Sequence, residues 1–368
     1  MLIGIDASRA IAARPTGTEV YSQRLIQALL GMESPHQFRL YFREPPLAGT
    51  FAGAELHTIP FPRLWTHIRL SWEMARRPPE ALFIPSHVLP PIHPRASLVT
   101  VHDLGYLHFP EAHPRLQHLY LDLTTRWNAR AAAHILADSE ATKVDLIAHY
   151  ATPPEKISVA YPGYDQALSP VRDPATIEVK SRYNTGGDYF LYLGTLQPRK
   201  NLARVIDAFA TIETKATLVL AGKRGWLHDD LFSQVRRLRL EERVLFPGYI
   251  AEEDKAALLS GALAFVFPSL YEGFGLPVLE AQACGCPVIT STTSSLPEVA
   301  GDGALLVDPR DSSAIADAMQ RITADPTLRE SLVGRGFINA RRFSWATCAQ
   351  TVLNAIECRG AKPRPREA

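Results

Sequence analysis

The sequence predicts an α/β protein made of two doubly wound domains. Three observations carry this. Short apolar runs recur along the chain with helical patterns between them, and strands that alternate with helices imply parallel sheets covered on both faces. The alternation is interrupted once, by a polar, proline-bearing stretch at 162–174, and then begins again. The chain has 368 residues and 46% apolar content, enough for two sizeable cores.

In the first half the strands are expected at 2–6, 38–42, 81–84, 98–101, 134–137 and 159–161, with an amphipathic helix over 19–30. In the second half they are expected at 189–194, 217–221, 244–246, 264–267, 287–290 and 304–307. The domain boundaries follow as 1–168 and 175–343, with 162–174 as the linker. A last helix with an apolar stripe is expected over 345–357. Residues 360–368 are rich in proline and charge and are expected to be disordered. Such sheets bind ligands beyond the carboxyl ends of their strands, so two of them facing each other would form a binding cleft.

Charge and cysteine usage narrow the function. Thirty-nine Lys and Arg balance 38 Asp and Glu, which argues against a general nucleic-acid binder with a basic face. No apolar run approaches a membrane span, and the N-terminus leads straight into a strand, so a cytoplasmic location is expected. Cys284, Cys286, Cys348 and Cys358 lack a redox or zinc spacing and read as small buried thiols in a reducing compartment.

The most informative stretch is F-P-S-L-Y-E-G-F-G-L-P-V-L-E-A-Q-A at 267–283. An apolar strand ends at Pro268 and Ser269. Glu272 follows, then a turn of Gly273, Phe274 and Gly275. Leu276 and Pro277 open a helix, since proline suits a first helical position. Glu280 lies about one turn inside it. Glycines let backbone N–H groups approach a ligand, and the helix end leaves N–H groups unpaired with a partial positive charge. That is an anion site with a carboxylate on each side to accept hydrogen bonds from hydroxyls. A diphosphate carrying sugar hydroxyls fits it. An ordinary strand-to-helix corner has the same ingredients.

Four other segments bear on chemistry. Gly17 and Thr18, in the loop 14–19, stand either at a helix N-terminus facing the cleft or in a plain turn capped by Thr18. The loop is not the Gly-x-Gly-x-x-Gly dinucleotide fingerprint. His102 follows the strand at 98–101 and would reach a reacting sugar from the strand's carboxyl end. Arg199 and Lys200, with Asn201 as a candidate N-cap, suit a diphosphate, Lys as a point charge and Arg as a fork; a solvated basic turn is the plainer alternative. Gly248, Tyr249 and Ile250 form a loop that could hold a nucleobase. Separately, residues 63–77 interleave arginines with Trp65, Ile68, Leu70 and Trp72. They suit either an anionic membrane surface or packing against their own sheet.

Together these segments make the chain similar to the GT-B retaining glycosyltransferases of family 4, a fold of two Rossmann-like domains facing across a cleft. The second half resembles the donor domain through Glu272 and Glu280 spaced eight apart around G-F-G-L-P, and through P-R-K-N at 198–201. The first half, with I-G-I-D-A-S-R-A, T-G-T-E and V-H-D-L, resembles the acceptor domain of bacterial members active in surface-polysaccharide assembly. The resemblance implies that a C-terminal helix, 344–358, crosses back onto the first domain. It implies that Glu272 binds hydroxyls of the transferred sugar, that Gly273, Phe274 and Gly275 contact diphosphate and sugar through their backbone, and that Glu280 holds the ribose. Lys200 with Arg199 would neutralise the diphosphate, His102 would face the sugar, and Gly17 would approach the phosphates. Ser269, Leu276 and Thr18 belong to the same donor-binding set, as do Gly248, Tyr249 and Ile250. Many members carry Gly-Arg where this chain has Gly194-Thr195, so Arg199 is expected to take over that arginine's role.

The reaction this implies moves a sugar from a nucleoside diphosphate, GDP-mannose being favoured, to a hydroxyl of a glycan or lipid-linked saccharide with retention. No carboxylate cluster suggests a metal, so no cofactor and no metal are expected. The alternatives are a GT-B enzyme that is not a transferase, such as a nucleotide-sugar 2-epimerase or a phosphorylase, or a nucleotide-sugar-binding protein with a dead site. A dinucleotide-dependent oxidoreductase is disfavoured by the missing fingerprint.

Overall fold

The computed structural model describes residues 1–12, 17–86, 88–112, 114–223 and 229–360. Two compact units result: unit 1 joins Met1–Gly163 to the chain from Ser344, and unit 2 is Tyr164–Phe343.

Unit 1 holds β1 (Leu2–Asp6), β2 (Gln37–Phe42), β3 (Glu55–Thr58), β4 (Ala81–Ile84), β5 (Ala96–Val101), β6 (His134–Ala137) and β7 (Ile157–Val159). They form one parallel sheet in the order β3-β2-β1-β4-β5-β6-β7. Unit 2 holds β8 (Tyr189–Leu193), β9 (Thr217–Ala221), β10 (Val244–Leu245), β11 (Ala264–Phe267), β12 (Val288–Ser291) and β13 (Ala304–Val307). Its parallel order is β10-β9-β8-β11-β12-β13. Each sheet therefore winds outward in both directions from its first strand. The direction changes between β1 and β4 in one unit and between β8 and β11 in the other. Loops at such a switch point part and leave a crevice beyond the strand ends.

The central strands are apolar along their whole length because helices cover both faces; β5 and β11 are buried at every residue. The helix Trp345–Gly360 packs its stripe of Cys348, Ala349, Val352, Leu353 and Ile356 into the unit 1 core with Ile3, Leu25 and Leu29. Gly163 makes this docking close: a Cβ there would fall 2.2 Å from the Trp345 nitrogen.

Several expectations change. β3 gave no apolar signal because it is a short, mostly exposed edge strand, E-L-H-T. The last strand of unit 1 is Ile157–Val159, two residues earlier than the apolar pattern suggested, and only the Ala160 N–H continues the ladder, to the Ala137 carbonyl at 2.9 Å. The expected linker 162–174 carries no helix or strand, and an unforeseen helix, Ala175–Arg182, follows it. Within 63–77 a π-helical turn, Thr66–Leu70, continues directly into the helix Ser71–Arg76. Gly360 ends a helix on whose outer side Cys358 is exposed rather than buried, unlike Cys284, Cys286 and Cys348, and 361–368 lie outside the described residues. Among the described residues, no helix is long and apolar enough to cross a membrane.

Candidate functional site

The charged centre of unit 2 is built by the two strands that flank its switch point. Arg199 and Lys200 lie in a 3-10 turn, Pro198–Lys200, after β8, and Glu272 lies in the loop after β11. Lys200 Nζ donates to Glu272 Oε1 at 2.5 Å, and Arg199 Nη1 donates to Oε2 at 2.9 Å. The same Arg199 nitrogen also donates to the Tyr271 carbonyl, and the Leu270 N–H bonds the Arg199 carbonyl at 2.9 Å, which staples the two loops together. Lys200 Nζ lies 4.9 Å from the centre of the Phe267 ring, a cation–π contact. Glu272 is 7% exposed. Burial is the largest single influence on it and pushes its pKa up, but Lys200 and Arg199 outweigh burial and bring it down to about 2, helped by the Ser269 hydroxyl. The trio carries one more positive charge than negative, in a setting where an anion gains from it.

The glycine turn is held from below. Ser295 Oγ donates to the carbonyls of Glu272 and Phe274, and Ser294 Oγ accepts from the Glu272 N–H. Gly275 has φ +119°, and a Cβ there would sit 2.8 Å from Leu296 Cδ2, so only glycine fits. The helix Leu276–Ala283 starts directly afterwards with Pro277 in its first turn and no side-chain cap. Phe274 is buried and packs edge-on against Phe343, so its side chain is taken up by packing. Glu280 is not part of the trio. It takes a hydrogen bond from Lys255 Nζ at 3.2 Å, and burial raises its pKa against that lysine's pull.

Asn201 is no side-chain N-cap. It takes φ +64°, and its Nδ2 donates to the carbonyls of Pro268 and Pro309, tying the β8 loop to the loops after β11 and β13. Gly248 has φ +83°, and its carbonyl accepts the Gly222 N–H at 2.7 Å. Tyr249 is 65% exposed with Lys223 Nζ 6.0 Å from its ring centre, whereas Ile250 is buried. Tyr249 therefore presents an exposed ring, and Ile250 supports the loop.

In unit 1, His102 follows β5 directly. Its Nδ1 lies 2.7 Å from Asp138 Oδ2, just past the neighbouring strand β6. Its Nε2 is buried and has no hydrogen-bond partner of sound geometry among the described residues. Burial lowers the ring's pKa, but Asp138 outweighs it and the net shift is upward. The Tyr21 ring stands edge-on at 4.7 Å and fixes the imidazole plane. Gly17 and Thr18 are the first two residues of the helix Gly17–Leu30, so Thr18 is not its N-cap; a Cβ at Gly17 would meet nothing within 4 Å among the described residues. Residues 14–16 of that loop lie outside the described residues.

Comparison with known proteins fits this arrangement. Residues 15–168 match the family described as Glycosyltransferase Family 4, and residues 174–337 match Glycosyl transferases group 1. The chain is 35% identical over 266 residues to O-antigen chain mannosyltransferase B of Escherichia coli, covering 71% of this chain and 70% of that one. It belongs to the family 4, group 1 glycosyltransferases. A second Escherichia coli relative, the serotype-specific mannosyltransferase WbdA, is 29% identical over 278 residues, of which this glycosyltransferase spans 33%. The crystal structure of Anabaena Alr3699/HepE in complex with UDP and glucose superposes with a TM-score of 0.75 at 18% identity, covering 97% of this chain and 99% of that one, and shares the GT-B fold.

Three supporting residues of this glycosyltransferase were not singled out from the sequence. Asp138 partners His102 from 36 positions away and Lys255 partners Glu280 from 25 positions away. Neither has a local signal, because each pair meets only through the fold. Ser295 had one: a serine just before the helix Leu296–Ala300 resembles a cap, yet its hydroxyl serves the glycine turn instead.

Proposed function

We propose that this glycosyltransferase moves a sugar from a nucleoside diphosphate to a hydroxyl of a glycan or lipid-linked saccharide, with retention at the anomeric carbon and without a metal ion. GDP-mannose is the favoured donor, in keeping with the mannosyltransferase names of its relatives. The observation that carries the reading is Glu272 held between Lys200 and Arg199 beyond β8 and β11. When donor binds, sugar hydroxyls donate to Glu272 and the diphosphate pairs with the two cations. The N–H groups after Gly275 add to the anion site. Glu280 accepts from the ribose, and Tyr249 covers the base.

Glu272 is already engaged by two cations and serves as a hydroxyl acceptor rather than a nucleophile. This favours attack on the same face. The acceptor oxygen bonds to the anomeric carbon as the bond to the diphosphate oxygen breaks, and that oxygen takes the acceptor's proton. Catalysis is then mainly electrostatic, and a preorganised donor group of this kind is worth roughly 3–4 kcal/mol. His102 takes the place facing the reacting sugar that the family resemblance gives it. Peripheral contact of 63–77 with the inner face of a membrane belongs to the same reading, since a lipid-linked acceptor resides there.

The test is a panel of nucleotide-sugars read by thermal stabilisation and by turnover with and without acceptor, in EDTA. Stabilisation by one donor, acceptor-dependent turnover with the anomeric proton signal retained, and indifference to EDTA support the reading. Turnover without acceptor points to an epimerase, and binding with no turnover to a dead site.

A further inference from the structure

The helix Arg115–Ala131 breaks the usual rule for a surface helix. Leu116, Leu119, Tyr120, Leu123 and Trp127 repeat at helical spacing and fall within about 100° of arc at about 3.6 residues per turn, the pattern that ordinarily faces a core. Here the stripe faces outward. All five residues are exposed, Leu116 by 83%, while the helix buries only Asn128 and Ala129.

The stripe continues onto a second element. The His67 ring lies 6.1 Å from Tyr120 and the His93 ring 6.2 Å from Trp127, and Trp127 Nε1 donates to the Leu89 carbonyl at 2.9 Å. These contacts bring the turn Thr66–Leu70 and the loop at 89–93 alongside the helix. There a shallow hollow of about 620 Å³ is lined by Phe61, His67, Ile68, Arg69, Ser71, Trp72 and Ile92. Trp72 is 56% exposed, and the guanidinium of Arg76 lies 5.6 Å from its ring centre.

Charge says what covers this face. Across 63–77 and 115–131 there are seven arginines, Arg63, Arg69, Arg76, Arg77, Arg115, Arg126 and Arg130, against two acids, Glu73 and Asp122. The two acids are paired locally with Arg69 and Arg126. The chain as a whole is nearly neutral, at +1, so the excess is local. On the helical wheel Arg115 and Arg126 run along one edge of the apolar stripe, and Arg130 falls within its arc at the helix's C-terminal end. Exposed leucine and tryptophan rimmed by arginine match an anionic lipid layer: the apolar side chains enter the acyl boundary, tryptophan sits at the headgroup level, and arginine meets phosphate.

We infer that the outward stripe of Arg115–Ala131 and the Trp72 hollow form one surface that docks on an anionic lipid layer, with the hollow taking a hydrocarbon chain. This deepens the lipid-linked-acceptor side of the proposed function and rests on that reading for its purpose. It enlarges the contact from 63–77 to a two-element face.

The experiment is co-sedimentation of the whole protein with vesicles of phosphatidylcholine alone or mixed with phosphatidylglycerol. The unaltered protein is expected to pellet with the anionic vesicles at least tenfold more than with the neutral ones. The pair Leu119→Glu and Leu123→Glu should lower that binding at least tenfold, and Trp72→Ser severalfold. All three positions are exposed, so circular dichroism and the donor-induced thermal shift should stay unchanged. Equal pelleting of the double variant overturns the inference. So does a dimer of the unaltered protein that the double variant dissolves, since the occupant is then a second copy. Donor stabilisation without vesicle binding defeats this inference alone; vesicle binding without donor stabilisation defeats the proposed function alone.

Discussion

Glu272 and Asp138 are both buried carboxylates in loops beyond parallel strands, one in each unit, 7% and 5% exposed. Burial pushes both towards the neutral acid, yet their pKa values move in opposite directions. Glu272 faces two full cations and is brought down to about 2. Asp138 faces one imidazole, with Asp103 adding like charge, and burial keeps its pKa above the usual range. The same side-chain chemistry at similar depth thus gives a permanent anion in a cationic setting and a pair that shares a proton. What decides is the number of fixed charges within reach. The first arrangement suits binding hydroxyls beside a diphosphate, and the second suits holding a proton at a chosen ring nitrogen.

The comparison breaks most visibly at Lys200. Lys200→Ala should lower kcat/KM by roughly 10²–10³, the loss expected for one preorganised stabilising group, measured under saturating acceptor. Arg199→Ala should cost activity too; unchanged activity would show that the arginine does not replace the one missing at Gly194-Thr195. Acid titration probes the next largest effect. A carboxylate depressed from 4.5 to about 2 lends stability that is complete above about pH 4.5 and lost as pH falls through about 2, of the order of 3 kcal/mol. Urea unfolding between pH 5 and 3 should show that slope in the native protein and lose it in Glu272→Gln.

Asp138→Asn sharpens the other half. Asp138 raises the His102 pKa, so its removal should move the acid limb of the pH–rate profile to lower pH and cost about tenfold in kcat, within the span that positioned acid–base groups command. A loss of activity with an unmoved profile would reduce Asp138 to a packing role. The smallest effect concerns the last helix. His134 is held near pKa 4 by burial, Arg359 and Lys156, so protonation opposes folding as pH falls from about 6.5 towards 4. Stability should drop by about 1 kcal/mol between pH 7 and 5.5, and His134→Gln should flatten that drop.

Much of this was legible in the sequence, for a reason visible in the residues. Glu272, Gly275, Pro277 and Glu280 lie within one strand–turn–helix window, and local chemistry fixes a window of that size. Arg199 and Lys200 were legible as cations at a strand end, but their meeting with Glu272 required β8 and β11 to be neighbours, which pairing alone establishes. Asp138 had no local mark. β3 escaped because an exposed edge strand need not be apolar. The helix Arg115–Ala131 teaches a different lesson: periodicity reveals that a helix has an apolar face, but not whether that face looks inward or out.

The most direct test is urea unfolding of the protein and of Lys200→Ala, each with and without GDP-mannose at about 100 times the dissociation constant measured for the unaltered protein. The account predicts a gain of about 2.7 kcal/mol for the unaltered protein and little or none for the variant. An equal gain in both would contradict the assignment of the Glu272–Lys200–Arg199 cluster as the donor site.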